Sequence, residues 1–81
     1  MAAIQVKVRH FAVLRERRGC AEESLAVEVG TTAGALYRAL FPPLPAGVMP
    51  VMYEVNRCYV ASETLLADGD EVAFIPPLGG G

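Results

Sequence analysis

Tryptophan is absent from the 81 residues, and Phe and Tyr number three each. A domain this small buries roughly 60% of the surface its unfolded chain exposes, so its core is thin. A deep cofactor cavity would remove core that it can hardly spare. Cysteine is scarce as well, with only Cys20 and Cys58. Two thiols cannot build a disulfide-rich scaffold or a four-thiolate metal site. They fit free thiols in a reducing compartment. Positive charge has no surplus: the formal net charge is −2, whereas a general nucleic-acid binder presents a basic face. No apolar run approaches the roughly 20 residues that span a bilayer. Met1-Ala2-Ala3 leads straight into an alternating pattern, not into a signal peptide. These absences predict a cytoplasmic protein with no nucleic-acid or membrane partner, no bound cofactor and no metal.

What is present is apolar material for one core, since 53% of the residues are hydrophobic. The length fits one domain, expected over residues 1–75, followed by a tail over residues 76–81. A small module that acts with a partner suits these bounds better than a self-contained enzyme.

Ile4, Val6 and Val8 alternate with Gln5, Lys7 and Arg9, the period of a strand with one buried face. Phe11 to Arg18 reads as a short helix or turn with Val13 and Leu14 inward, ended by Gly19. Leu25, Val27 and Val29 mark a second strand that pairs with the first as a hairpin with an enlarged connection. Thr31 or Thr32 can cap a helix over residues 33–41, because a hydroxyl accepts from a free first-turn N–H. Leu36 and Leu40, with Ala33 and Tyr37, fall on one face of it. Pro42-Pro43 stops it, since proline lacks the N–H and bars helical geometry before it. Residues 51–55 and 58–61 read as strands around an Asn56-Arg57 turn. Ser62 to Leu66 suggests a single helical turn. Asp68-Gly69-Asp70 is a strong turn signal before the last strand, Glu71 to Ile75. On that strand Val72 and Phe74 share one face, and Ala73 and Ile75 the other. The order fits an α+β fold of the β-grasp type, a mixed sheet wrapped around one main helix. The fold alone gives no function.

After Ile75 come Pro76-Pro77-Leu78 and then Gly79-Gly80-Gly81. Prolines end the strand, and glycine disfavours regular structure through its backbone entropy. A narrow protein tunnel could admit such a tail, because backbone without side chains permits close approach. The group delivered would be the α-carboxylate of Gly81. A carboxylate is a poor electrophile; adenylation by ATP converts it to a mixed anhydride with a good leaving group. Sulfide transfer to that carbonyl would leave a terminal thiocarboxylate. The alternative is that the three glycines are a loose end with no role, as termini often are.

The context of the tail adds a resemblance. Leu66-Ala67-Asp68-Gly69-Asp70-Glu71-Val72-Ala73-Phe74-Ile75-Pro76-Pro77, followed by a hydrophobic residue, a spacer and terminal Gly-Gly, resembles the small subunit of molybdopterin synthase, a ubiquitin-like family. Phe11-Ala12-Val13-Leu14-Arg15-Glu16 resembles that family's motif after the first strand, and Val55-Asn56-Arg57 its central strand and turn. The likeness runs along essentially the whole chain. It implies a β-grasp fold, and adenylation of Gly81 by an E1-like enzyme that uses ATP. A sulfurtransferase would supply the sulfur. It further implies insertion of the tail into the large synthase subunit, in a heterotetramer of two small and two large chains. There the thiocarboxylate would donate sulfur to a cyclic pterin monophosphate, forming the dithiolene of molybdopterin. The family's partner-facing apolar positions fall on Phe11, Tyr59 and Ile75, and Arg15, Pro76, Pro77 and Leu78 are further candidates for partner binding. This chain has Tyr59 where an aliphatic residue is usual, Ile75 where an aromatic is usual, and Gly79 where a side chain is common. Gly80 and Gly81 carry the terminal match. A related carrier for thiamine, tRNA thiolation or cysteine synthesis, and a ubiquitin-like modifier joined to lysines through Gly81, share the same end.

Other residues have plainer readings. His10 ends the first strand with no nucleophile or acid beside it in sequence, which suggests a structural histidine. Cys58, in a strand, reads as a small buried residue. Cys20 follows Gly19 in a loop and can be exposed. Asp68-Gly69-Asp70-Glu71 lacks the remaining ligands of a calcium loop and reads as a hairpin turn. Arg15, Arg17 and Arg18 form either a solvated cluster or a set that pairs with acidic residues of a partner.

Overall fold

A computed structural model describes residues 2–77. The chain runs β1 (Ala3–His10), α1 (Ala12–Arg18), β2 (Glu22–Glu28), α2 (Ala33–Leu40), β3 (Met52–Val55), β4 (Cys58–Val60) and β5 (Glu71–Ile75). The strands form one mixed sheet in the order β2-β1-β5-β3-β4. β1 pairs with β2 antiparallel and with β5 parallel, while β5 pairs with β3 antiparallel. This is the expected α+β arrangement, and β5 lies at its centre.

The alternation in β1 buries Ile4, Val6, Val8 and His10 against α2 and leaves Gln5, Lys7 and Arg9 on the open face. β5 supplies Val72 and Phe74 to the same core, and α2 supplies Ala33, Leu36 and Tyr37. Tyr37, Phe41, Tyr53 and Phe74 form one aromatic cluster, with centroid separations from 5.1 Å to 6.3 Å. Tilted and edge-on pairs of this kind add to what area burial contributes. The two helices contribute unequally. Leu14 of α1 is fully buried, but Val13 is 40% exposed and does not point inward as its position suggested. Among the described residues no helix is long and apolar enough to cross a membrane.

Thr32 caps α2, its Oγ1 accepting from the Ala35 N–H at 3.1 Å. The two preceding free donors are satisfied across the chain. Ala33 N–H donates to the Thr64 carbonyl at 2.9 Å, and Gly34 N–H to the Ser62 carbonyl at 2.8 Å. This corrects the helical turn expected over Ser62 to Leu66. The segment is held as turns with a bridge between Thr32 and Leu65, because its carbonyls serve the start of α2. Gly34 keeps this crossing close: a Cβ there would lie 3.0 Å from that of Ser62, and the segment would have to give slightly.

The Asp-Gly-Asp turn has a definite structural task. Asp68 Oδ1 accepts from the Gln5 N–H at 2.8 Å. Asp70 accepts from Ala67 N–H at 2.8 Å and from Asn56 Nδ2 at 2.9 Å, while Asn56 Oδ1 accepts from Glu71 N–H at 3.0 Å. Asn56 sits at φ +52, a left-handed conformation that asparagine tolerates. The Asn56-Arg57 and Asp68-Gly69-Asp70 motifs, twelve residues apart in sequence, are therefore one hydrogen-bonded corner that fixes the start of β5.

Candidate functional site

Where β5 leaves the sheet, an apolar groove of about 530 Å³ opens on the surface. Its walls are Pro50, Val51, Met52, Tyr59, Ile75, Pro76 and Pro77. Local rules place each wall. Met52 lies opposite Ile75 in the antiparallel β3–β5 register, so both face the open side. Tyr59 pairs with Glu54 on the edge strand β4 and extends the same face. Tyr37 Oη donates to the Met49 carbonyl at 2.8 Å, which ties the loop before β3 to α2 and holds Pro50 at the rim. Met52 and Tyr59 are 55% and 62% exposed, and with Ile75 they line one continuous apolar groove, the kind of surface that marks an interaction site.

Of the residues singled out from sequence, Tyr59, Ile75, Pro76 and Pro77 meet in this groove. Pro76 is buried and Pro77 exposed. Phe11 follows His10, which pairs with Phe74, so it stands one step beyond the ladder beside Ile75. Its ring lies under the Arg9 guanidinium at 5.0 Å. Ala12, at φ +52, turns the chain sharply after it. Arg15 is exposed on α1 and does not line the groove. Leu78, Gly79, Gly80 and Gly81 lie outside the described residues. Sequence reading missed Pro50, Val51 and Met52; the cross-strand register of Met52 with Ile75 is the signal that would have found them.

The open face beyond the groove is charged and paired. Glu71 bridges Arg9 at 3.3 Å and Arg57 at 3.4 Å. Lys7 meets Glu22 at 3.5 Å.

A second polar cluster sits at the other side of β1. Buried His10 donates from Nε2 to Glu23 Oε2 at 2.7 Å, because a bare nitrogen would face the carboxylate lone pairs. Arg18 grips the same carboxylate with Nε at 2.8 Å and a terminal nitrogen at 2.7 Å. That grip, more than the His10 contact, lowers the Glu23 carboxyl to about 2. Cys20 completes a group whose donor atoms lie within 4.8 Å of one another. Both Glu23 oxygens are already taken by Arg18 and His10, so the group is a staple joining β1, α1 and β2. Burial, with Glu23 nearby, pushes the Cys20 thiol up and keeps it protonated. His10 is thus structural, as its sequence position suggested, although an acid does stand beside it. Cys58 differs from expectation: it is exposed, because β4 is an edge strand. Among the described residues this leaves the groove with no acid, base or thiol on its walls.

Residues 8–81 match the pattern of the ThiS family. The chain belongs to the ThiS family. Within reach of it, the molybdopterin synthase sulfur carrier subunit of Mycobacterium tuberculosis is 39% identical, over 96% of this chain and 99% of that protein. The solution structure of small archaeal modifier protein 1 from Methanosarcina acetivorans superposes with a TM-score of 0.73 at 26% identity, covering all of both chains. A complex of subunits 1 and 2 of the molybdopterin-converting factor from Helicobacter pylori contains a chain of the same fold, with a TM-score of 0.57 and 24% identity over 96% of this chain and all of that one. Both solved structures share the β-grasp fold that the strand order displays.

Proposed function

We propose that the chain is the sulfur-carrying small subunit of molybdopterin synthase, with the Gly81 carboxylate as its working group. The similarity to the mycobacterial sulfur carrier subunit over nearly the whole chain carries this reading. An E1-like enzyme joins the Gly81 carboxylate to the AMP portion of ATP, and pyrophosphate leaves. Sulfur carried as a persulfide by a sulfurtransferase, once released as sulfide by a reducing thiol that is itself oxidised to a disulfide, forms a bond to the carbonyl carbon while the bond to AMP breaks. The resulting thiocarboxylate enters the large subunit and donates sulfur to a cyclic pterin monophosphate, towards the dithiolene. The groove is the docking surface: Tyr59, Ile75 and Met52 meet apolar residues of the large subunit, and Pro76-Pro77 directs the chain outward. The Helicobacter complex supports a partner of this kind. A heterotetramer of two small and two large chains is the expected assembly. The carrier supplies no acid, base or metal ligand, so those groups belong to the partner.

The test is the intact mass of the protein after incubation with ATP, a sulfur source and its activating enzyme. A gain of about 16 Da confined to the C-terminal peptide is the expected result, as oxygen is replaced by sulfur in a covalent intermediate. An unchanged mass, where a control carrier is converted, sinks the reading. Removing Gly81 abolishes the gain and leaves the fold intact.

A modifier role has one observation in its favour, the full-length likeness to small archaeal modifier protein 1. It shares the adenylate and differs in the acceptor. Isopeptide adducts on lysines of other proteins in cell lysate support that role, and free thiocarboxylate without adducts argues against it.

A further inference from the structure

An activated C-terminal carbonyl is open to attack by an accessible amine as well as by sulfur. The chain is almost bare of amines. Of its seven cationic side chains only Lys7 is a lysine; the rest are Arg9, Arg15, Arg17, Arg18, Arg38 and Arg57. Guanidinium keeps its proton at any physiological pH and is no nucleophile, whereas an ammonium group loses its proton readily enough to attack.

The one lysine is also badly placed for self-attack. β1 and β5 run parallel, with Lys7 level with Glu71 and Arg9 level with Ala73. At about 3.3 Å per residue, Lys7 sits roughly 20 Å behind Pro77 along the strand, and Arg9 roughly 13 Å. The four residues after Pro77 span at most about 14 Å. A lysine side chain adds only about 6 Å more. The tail could reach an amine at position 9 with slack, but Lys7 only with every bond extended. Lys7 is moreover drawn the other way, its Nζ lying 3.5 Å from Glu22 on β2, the strand farther from β5.

We propose that arginine replaces lysine on this body to keep the activated Gly81 carbonyl from acylating its own chain, so that sulfur is the nucleophile it meets. The proposal deepens the carrier reading and rests on it. The reaction avoided is simple. An amine nitrogen bonds to the Gly81 carbonyl carbon, the bond to AMP breaks, AMP leaves, and the ammonium proton passes to water. The product is a closed loop with no free C-terminus, a dead carrier. Specificity for sulfur is thus set partly by what the neighbouring cations lack.

The test uses the full chain bearing a thioester at Gly81, made chemically, and so needs no activating enzyme. Failure of thiocarboxylate formation would bear on the carrier reading and leave this experiment untouched. In mildly alkaline buffer the thioester either hydrolyses or closes on an amine, and the amide weighs about 18 Da less than the acid, one water. Wild type is expected to give acid. Arg9→Lys is expected to give at least about tenfold more internal amide, since a tethered group acts at millimolar effective concentration. Arg57→Lys is the distance control: Val55 is level with Val72 and Asn56 N–H bonds to the Glu71 carbonyl, so the backbone at position 57 lies as far back along β5 as that of Lys7. It should behave as wild type. Should Arg9→Lys disturb its pair with Glu71, Tyr59→Lys offers an exposed amine on the groove wall. Acid alone from both near variants, or wild type closing on Lys7 as efficiently as they do, overturns the proposal.

Discussion

The two faces of the sheet are made from the same strands and do opposite work. On the helix side β5 contributes Val72 and Phe74, both fully buried. On the open side it contributes Ile75, half-buried in the groove, one residue after Phe74. Consecutive residues thus serve stability and, in the docking proposed above, recognition. The lesson is that a thin core can be secured by a few aromatics on one face, which frees the other for a partner.

The comparison is broken most strongly at Phe74. Phe74→Ala removes the ring shared by Tyr37, Phe41 and Tyr53. The expected loss is about 3–5 kcal/mol, read by urea unfolding. In a domain of this size that approaches the whole stability. Ile75→Asp sharpens the contrast. Its unfolding curve should stay near wild type, while affinity for the large subunit falls by about 2 kcal/mol or more, roughly 30-fold, in calorimetry. Equal damage to both properties would show that the two faces are not separable.

Acid tests the staple at the edge of the core. Glu23 titrates at about 2 in the folded chain, against an ordinary value of 4.5. A depressed carboxyl stabilises the fold above its unfolded value and loses that stabilisation as pH falls towards the folded one. Wild type should therefore weaken between pH 4.5 and about 2. Glu23→Gln should be less stable at neutral pH and flatter across that window in a circular-dichroism titration. The smallest effect is expected at Gly34→Ala, where the new methyl meets Ser62 at 3.0 Å. The segment must shift slightly, at about 1 kcal/mol, read as a modest fall in melting temperature.

Much of this contrast was legible before the structure. Alternation at Ile4, Val6 and Val8, the Thr32 cap and the Pro42-Pro43 stop are local signals, and each element formed where they placed it. What could not be read depends on distant partners. The Ser62 to Leu66 segment looks locally helical, yet the free N–H groups at the start of α2 claim its carbonyls. The exposure of Cys58 follows from β4 ending the sheet, which no window of sequence reveals. His10 and Glu23 are an intermediate case. Leu25 and Val27 mark the inward face of β2, and Glu23 falls on that same face, so a charge there demands a partner. The groove was half visible, as Tyr59 and Ile75, while Met52 needed the β3–β5 register.

The central place of β5 has a mechanical consequence. The segment leading to Gly81 issues from a strand bonded to β1 on one side and to β3 on the other. A pull along the C-terminus loads both ladders in shear, with many hydrogen bonds sharing the force at once, instead of peeling them open one by one. On the proposed reading, in which successive enzymes draw on the tail, the carrier can then be tugged repeatedly by its end without unravelling from it.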